Sequence, residues 1–86
     1  GGLDRIDKIE GDMPATFRLS GALKDYTNKV AEVEVSAGLS VRQALVNLKI
    51  PPEIVALVLV NDQPENKDYH IQEGDRIQLL AVIGGG

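Results

Sequence analysis

Alternating hydrophobic and polar positions predict two strands in the first half of the chain. Residues 15–20 read ATFRLS, with Phe17 and Leu19 on one face and polar side chains on the other. Residues 31–36 read AEVEVS and alternate in the same way. Because such alternation is typical of a strand with one buried face, we expect a hairpin, joined by the turn-rich residues 21–29.

A helical pattern follows the second strand. Ser40 stands three residues before Gln43, which is the spacing of a capping box at a helix N-terminus. Apolar residues then recur at helical spacing, at Val41, Ala44, Leu45 and Leu48. Pro51 and Pro52 prevent much continuation beyond Lys49. The pattern predicts one helix of roughly two to three turns.

Two apolar segments predict strands in the second half of the chain. Residues 55–62, VALVLVND, are continuously apolar up to Asn61, which predicts a central strand covered on both faces. Residues 63–75 form a polar connection that ends in a turn at Gly74 and Asp75. Residues 76–83, RIQLLAVI, predict the last strand. Its alternation places one set of side chains on one face, Ile77, Leu79, Ala81 and Ile83, and the other set on the opposite face, Gln78, Leu80 and Val82.

These elements predict an α+β domain with a single core. A chain of 86 residues has room for one small core, and one helix can cover only one face of a sheet. We therefore expect a sheet wrapped around one main helix over residues 13–83, with the other face partly open. Residues 1–12 lack periodicity and precede Met13, so we interpret them as a loose extension or a cloning remnant. Residues 84–86 are expected to form a flexible glycine tail.

Composition and charge exclude several classes of protein. The formal net charge is −4 and no dense run of Lys or Arg occurs, so we expect no nucleic-acid partner. The absence of cysteine excludes a disulfide-stapled domain and any thiolate nucleophile or thiolate metal site. The apolar run at residues 55–60 is far shorter than the roughly 20 residues that cross a bilayer. Since no signal-peptide pattern is present either, we expect a cytoplasmic protein without a membrane partner.

Individual polar residues give little sign of catalysis. His70 lies alone in the polar connection without a nearby nucleophile, so we interpret it as a surface residue. Glu32 and Glu34 alternate on a strand, which a solvated sheet face explains better than an acid–base pair in a pocket. One histidine without clustered carboxylates predicts no metal site.

The final glycines, Gly84, Gly85 and Gly86, are the strongest candidate for chemistry. Without Cβ atoms, such a segment can lie extended in a narrow channel of another protein. Three residues span roughly 10 Å, which is enough to place the α-carboxyl group of Gly86 in a partner's pocket. The alternative is a cloning remnant without a function.

Leu80 and Val82 are predicted to lie on the strand face that the helix does not cover. They either pack under the 63–75 connection or form an apolar docking patch beside the tail.

Several segments in this order resemble the MoaD/ThiS family of ubiquitin-like sulfur carriers. The segments are FRLSGALKDY at 17–26, AGLSVRQALVNL at 37–48, VLVND at 58–62, EGDRIQLL at 73–80 and IGGG at 83–86. The resemblance covers about residues 14–86. It implies a β-grasp fold, in which a mixed sheet of four to five strands wraps around one main helix.

The resemblance also implies a function for the tail. In this family an adenylating activating enzyme uses ATP to adenylate the C-terminal glycine, and sulfur transfer converts the acyl adenylate into a thiocarboxylate. Gly86 would carry both groups, while Gly84 and Gly85 would thread the partner's channel. The docking surface around the tail would include Leu80, Val82 and Ile83.

The same resemblance implies a carrier rather than an enzyme. The chain would bind no cofactor, because the activating enzyme uses the ATP. Its other partners would be a sulfur donor and either the large subunit of a molybdopterin synthase or a thiazole synthase.

The pathway stays open at this point. The FRLSGALKDY opening favours the molybdopterin type or its tungsten counterpart, whereas LLAVI at 79–83 departs from the Phe-Pro-Pro-Val-like run common in molybdopterin carriers. One alternative is the sulfur carrier of thiamine biosynthesis. Another is a ubiquitin-like modifier that is joined to target lysines through Gly86. A third is a β-grasp interaction module whose glycines are incidental.

Overall fold

The structure is a computed structural model, and it describes residues 13–81. The predictions for residues 1–12 and for Val82, Ile83 and the three glycines lie outside the described residues. The elements in chain order are β1 (Ala15–Leu19), a 3-10 helix (Gly21–Thr27), β2 (Glu32–Val35), α1 (Val41–Asn47), a second 3-10 helix (Pro52–Ile54), β3 (Val55–Val60), β4 (Gln63–Glu65) and β5 (Arg76–Ala81).

The five strands of the described residues form one mixed sheet in the order β2-β1-β5-β3-β4. β1 and β2 form the predicted antiparallel hairpin, and β1 lies parallel to the central strand β5. β3 is antiparallel to both β5 and β4. The predicted α+β arrangement of a sheet around one main helix is confirmed. β4 was not predicted, because all three of its residues are exposed and one of them is Pro64.

The N-terminus of α1 has the predicted capping box. The Ser40 hydroxyl oxygen accepts a hydrogen bond from the Gln43 backbone N–H at 3.1 Å, and the Gln43 side-chain oxygen accepts one from the Ser40 N–H at 3.0 Å. The helix ends at Asn47, because the chain turns through Lys49 in the left-handed region, with φ at 63°. The helix therefore ends before Pro51 can act as the breaker.

The core lies between α1 and one face of the sheet. Its buried apolar residues come from three strands, β1, β3 and β5, from α1, and from the first 3-10 helix and the loops. They are Ala15, Phe17, Leu19, Leu23, Val41, Ala44, Leu45, Ile50, Val55, Val58, Val60, Ile71, Ile77 and Leu79. Burial of this set is the main term that stabilises the domain.

The prediction that β3 is covered on both faces is wrong. Val55, Val58 and Val60 are buried, whereas Leu57 is 40% exposed and Leu59 is only half-buried. A register shift between Val55 and Leu57 sets the inward and outward positions of this strand. The strand is continuously apolar because its outward residues form an apolar surface.

A buried carboxylate fixes the turn before β5. Asp75 is 6% exposed, and it accepts hydrogen bonds from the Tyr69 hydroxyl at 2.7 Å, the Gln72 backbone N–H at 2.9 Å and the Asn61 side-chain amide at 3.0 Å. The Asn61 side-chain oxygen accepts in turn from the Arg76 backbone N–H at 2.9 Å. This network joins the end of β3 to the start of β5.

The Tyr69–Asp75 hydrogen bond makes stability sensitive to alkaline pH. Together with burial and the negative charge of Asp75, it raises the pKa of Tyr69 to about 12. Since a tyrosine in an unfolded chain titrates near about pH 10, the stabilisation is complete below that pH and is lost as the pH rises towards about 12. We expect the free energy of unfolding, measured with urea across this window, to fall more steeply in the wild type than in Tyr69→Phe. Equal slopes in the two proteins would contradict the assignment.

Candidate docking site

The sheet face opposite α1 is open, and its composition changes along β5. Near the start of β5, Arg76 lies beside Thr16 of β1. Two residues further along β5, on the same face, Gln78 lies between Arg18 of β1 and Leu59 of β3. The polar start of the strand thus gives way to an apolar end, from which the chain continues towards the glycines.

Three leucines form an apolar surface at that end, and we call Leu57, Leu59 and Leu80 the leucine patch. Leu57 and Leu80 are directly opposite each other on β3 and β5. Side chains in such pairs have Cβ atoms about 4.5–5.5 Å apart, so the two leucines form one continuous surface. With Leu57 at 40% exposure and the other two half-buried, the patch presents apolar area to a partner.

Polar and charged residues border the leucine patch on one side. Arg18, Glu32 and Arg76 are exposed, and with Leu59 and Gln78 they line a shallow depression of about 180 Å³. Among the described residues, neither arginine forms an ion pair. An apolar centre with a polar border is the usual composition of a protein–protein interface.

Of the predicted site residues, only Leu80 lies within the described part of the chain, which ends at Ala81. Leu80 lies on the open face as predicted, opposite Leu57, while its neighbour Leu79 is buried against the helix side. Val82, Ile83, Gly84, Gly85 and Gly86 lie outside the described residues. Their roles therefore stay predictions.

Sequence reasoning missed Leu57 and Leu59 as surface residues. It assigned both to a strand covered on two faces, because the apolar run is continuous. The signal that could have found them is the single predicted helix, which leaves the outward positions of every strand uncovered.

The remaining candidate residues occupy ordinary positions. His70 is exposed and forms a β-bridge with Ser40, which confirms that it is a surface residue. Glu32 and Glu34 are exposed on β2. Within residues 13–81, no group of three or more His, Cys, Asp or Glu residues could hold a metal ion. No helix in this described part is long and apolar enough to cross a membrane.

The mixed five-stranded sheet around one main helix defines a ubiquitin-like β-grasp protein. The ThiS family model matches residues 17–86. The chain belongs to the ThiS family, which confirms the resemblance drawn from its sequence. A comparison with curated proteins finds no match.

Solved structures share this fold at low sequence identity. SAMP1 from Haloferax volcanii is 19% identical, with a TM-score of 0.59, over 85% of this chain and 99% of that one. Urm1 from Trypanosoma brucei is 20% identical, with a TM-score of 0.58, over 85% and 95% of the two chains. The Haloferax volcanii HVO 2177 protein is 16% identical, with a TM-score of 0.63, over 88% and 89%. At these identities the likeness shows the fold alone.

Proposed function

We propose that this protein is a sulfur carrier for the biosynthesis of molybdopterin or its tungsten counterpart. Its Gly86 carboxyl group is first adenylated and then converted into a thiocarboxylate. The observation that carries the proposal is the ThiS family match, which runs from residue 17 through the last glycine. The FRLSGALKDY segment at 17–26 favours the molybdopterin pathway.

The chemistry follows from the properties of a carboxylate. A carboxylate is a poor electrophile, so a partner enzyme attaches AMP from ATP to one carboxyl oxygen of Gly86 and releases pyrophosphate. Sulfide then attacks the carbonyl carbon, the bond to the AMP oxygen breaks, and AMP leaves with the electron pair. The chain is the substrate in both steps and binds no cofactor itself, because the partner holds the ATP.

The leucine patch has a defined part in this proposal. One member of the patch, Leu80, is the residue before Ala81, at which β5 ends. Five further residues can extend at most roughly 18 Å beyond Ala81. An activating enzyme that binds the patch can therefore receive the tail in a nearby channel, where Gly84 and Gly85 allow close approach of the backbone.

The test is intact-mass analysis of the full chain. The protein is incubated with a family activating enzyme, ATP and sulfide, and the C-terminal peptide is then sequenced by mass spectrometry. We expect replacement of one oxygen by sulfur on Gly86, dependent on ATP, and transfer of that sulfur when a molybdopterin synthase large subunit and its pterin precursor are added. Failure to form the thiocarboxylate with any family activating enzyme would contradict the proposal.

The second candidate function is sulfur carriage in thiamine biosynthesis, which the ThiS family match supports equally well. In that case the thiocarboxylate forms equally well, but a thiazole synthase consumes it and the molybdopterin synthase does not. A ubiquitin-like modifier would share the adenylation step and leave Gly86 joined to lysines of other proteins. Searching cell extracts for these isopeptide remnants separates this alternative from sulfur transfer.

Charge in the leucine patch should weaken docking of the activating enzyme. We expect Leu57→Glu to raise the KM for the carrier roughly tenfold or more, because buried apolar contacts at an interface centre each contribute on the order of 1–2 kcal/mol. The melting temperature should stay close to that of the wild type, since Leu57 is 40% exposed. KM is measured from pyrophosphate release.

The matched control for this prediction is Val46→Glu. Val46 is exposed on α1, on the other side of the domain. An equal rise in KM in both variants would show that docking does not use the leucine patch.

A further inference from the structure

Within residues 13–81, the outer edge of β2 has backbone hydrogen-bonding groups without a partner. β2 is the first strand in the sheet order, so β1 is the only strand of the described part that pairs with it. The Leu19 N–H donates to the Ala31 carbonyl at 2.7 Å, which makes the pairs of β1 with Val33 and Val35 the hydrogen-bonded ones. The N–H and C=O groups of Glu32 and Glu34 therefore point away from β1, towards the free edge.

An apolar groove runs beside this edge, on the α1 side of the sheet. It has a volume of about 140 Å³. Its lining is apolar at Val35, Leu39, Ala44 and Leu48 and polar at its rim, at Glu34, Ser36 and Asn47. Val33 and Val35 are only half-buried, although both pack against the core. If another strand paired with β2, every second side chain of that strand would lie on the α1 side of the sheet and cover Val33 and Val35.

The opposite face of β2 is acidic. Glu32 and Glu34 lie across from Arg18 and Thr16 of β1, and neither glutamate forms an ion pair within the described part of the chain. A second copy pairing along β2 would bring glutamates close to glutamates, and like charges across strands are destabilising. The edge therefore disfavours self-association and favours a basic strand.

We propose that β2 binds an extended segment of another protein in which Lys or Arg alternates with Val, Ile or Leu. The segment adds a sixth strand, and its backbone bonds to the free groups of Glu32 and Glu34. Its basic side chains lie beside the two glutamate side chains, and its apolar side chains enter the groove against α1. Glu32 also belongs to the polar border of the leucine patch, but the pairing edge itself lies beyond β1, on the far side from β5.

The first test uses NMR on the full chain with a short capped peptide of alternating Lys and Val. In the free protein, we expect the Glu32 and Glu34 amide protons to exchange rapidly with solvent. Addition of the peptide should slow their exchange and shift the resonances of β2 and of the residues that line the groove. A peptide with Glu in place of Lys, and one N-methylated on its pairing edge, should not bind.

The second test reverses the charge of the edge. We expect the double variant Glu32→Lys, Glu34→Lys to bind the Lys–Val peptide at least about tenfold more weakly, and to bind the Glu–Val peptide instead. Glu65→Lys is the matched control, because Glu65 is an exposed glutamate on β4 at the opposite edge of the sheet. Binding is measured by titration calorimetry.

Three outcomes would overturn the proposal. One is an equal loss of affinity in Glu65→Lys, which would show a response to net charge alone. Another is protection of the Glu32 and Glu34 amides in the free chain, which would show that the edge is already paired. The third is absence of peptide binding at millimolar concentration. None of these outcomes bears on thiocarboxylate formation at Gly86, so the two proposals fail independently.

Discussion

Deleting Gly86 is expected to abolish thiocarboxylate formation and leave the melting temperature unchanged. In the proposed function, the α-carboxyl group of this residue is the only group that the activating enzyme adenylates. Without it, the new terminal carboxyl group lies roughly 3.5 Å short of the partner's reactive centre, and a displacement of even 1 Å can cost about a hundredfold in rate. The measurement is ATP-dependent sulfur incorporation by intact mass, next to thermal unfolding followed by circular dichroism.

Gly86→Ala separates the length of the tail from its shape. The carboxyl group and the chain length are kept, but a Cβ atom is added where the backbone must pass close to the partner. We expect sulfur incorporation to fall strongly, with little change in stability. A large loss of melting temperature in either variant would contradict the proposed position of the tail.

The local signals in the sequence predicted most of the fold. The Ser40–Gln43 capping box placed the start of α1 correctly, because a cap depends on two side chains and the backbone between them. The alternation around Phe17 and Val33 predicted the β1–β2 hairpin for a similar reason. These features are decided within a few residues, so the sequence shows them directly.

Features that depend on distant residues were not predicted. β4 was missed for another reason: Gln63–Glu65 pairs with Val58–Val60 across the short turn at Asn61 and Asp62, but its own residues have no strand pattern. Asp75 was predicted only as part of a turn, although it accepts hydrogen bonds from Tyr69 and Asn61. Partners of this kind are brought together by the folded chain, and spacing along the sequence gives no signal for them.

The candidate site was also predicted only in part. The alternation in β5 placed Leu80 on the open face, but the contribution of Leu57 requires the register between β3 and β5. The residue that performs the proposed chemistry, Gly86, was predicted from composition and from resemblance to a family. The leucine patch was found only when the neighbouring strand was known.

Leu45→Ala is expected to lower the free energy of unfolding by about 2–5 kcal/mol. Leu45 is completely buried between α1 and the sheet, so truncation removes apolar contacts and leaves a cavity that a close-packed core fills only partly. For a small domain with a total stability of roughly 5–15 kcal/mol, this is a large fraction. Urea unfolding of the wild type and the variant measures the difference.

The neighbouring residue provides the control for this change. Val46 is 59% exposed on the same helix, and Val46→Ala should be neutral or slightly stabilising, because alanine has the higher helix propensity. Below its unfolding transition, Leu45→Ala should still accept sulfur on Gly86, since the tail chemistry requires a folded body but not maximal stability. If Leu45→Ala lowers the free energy of unfolding by less than about 1 kcal/mol, Leu45 is less tightly packed than its burial indicates. Loss of sulfur incorporation in a fully folded Leu45→Ala would show that the core and the tail are coupled.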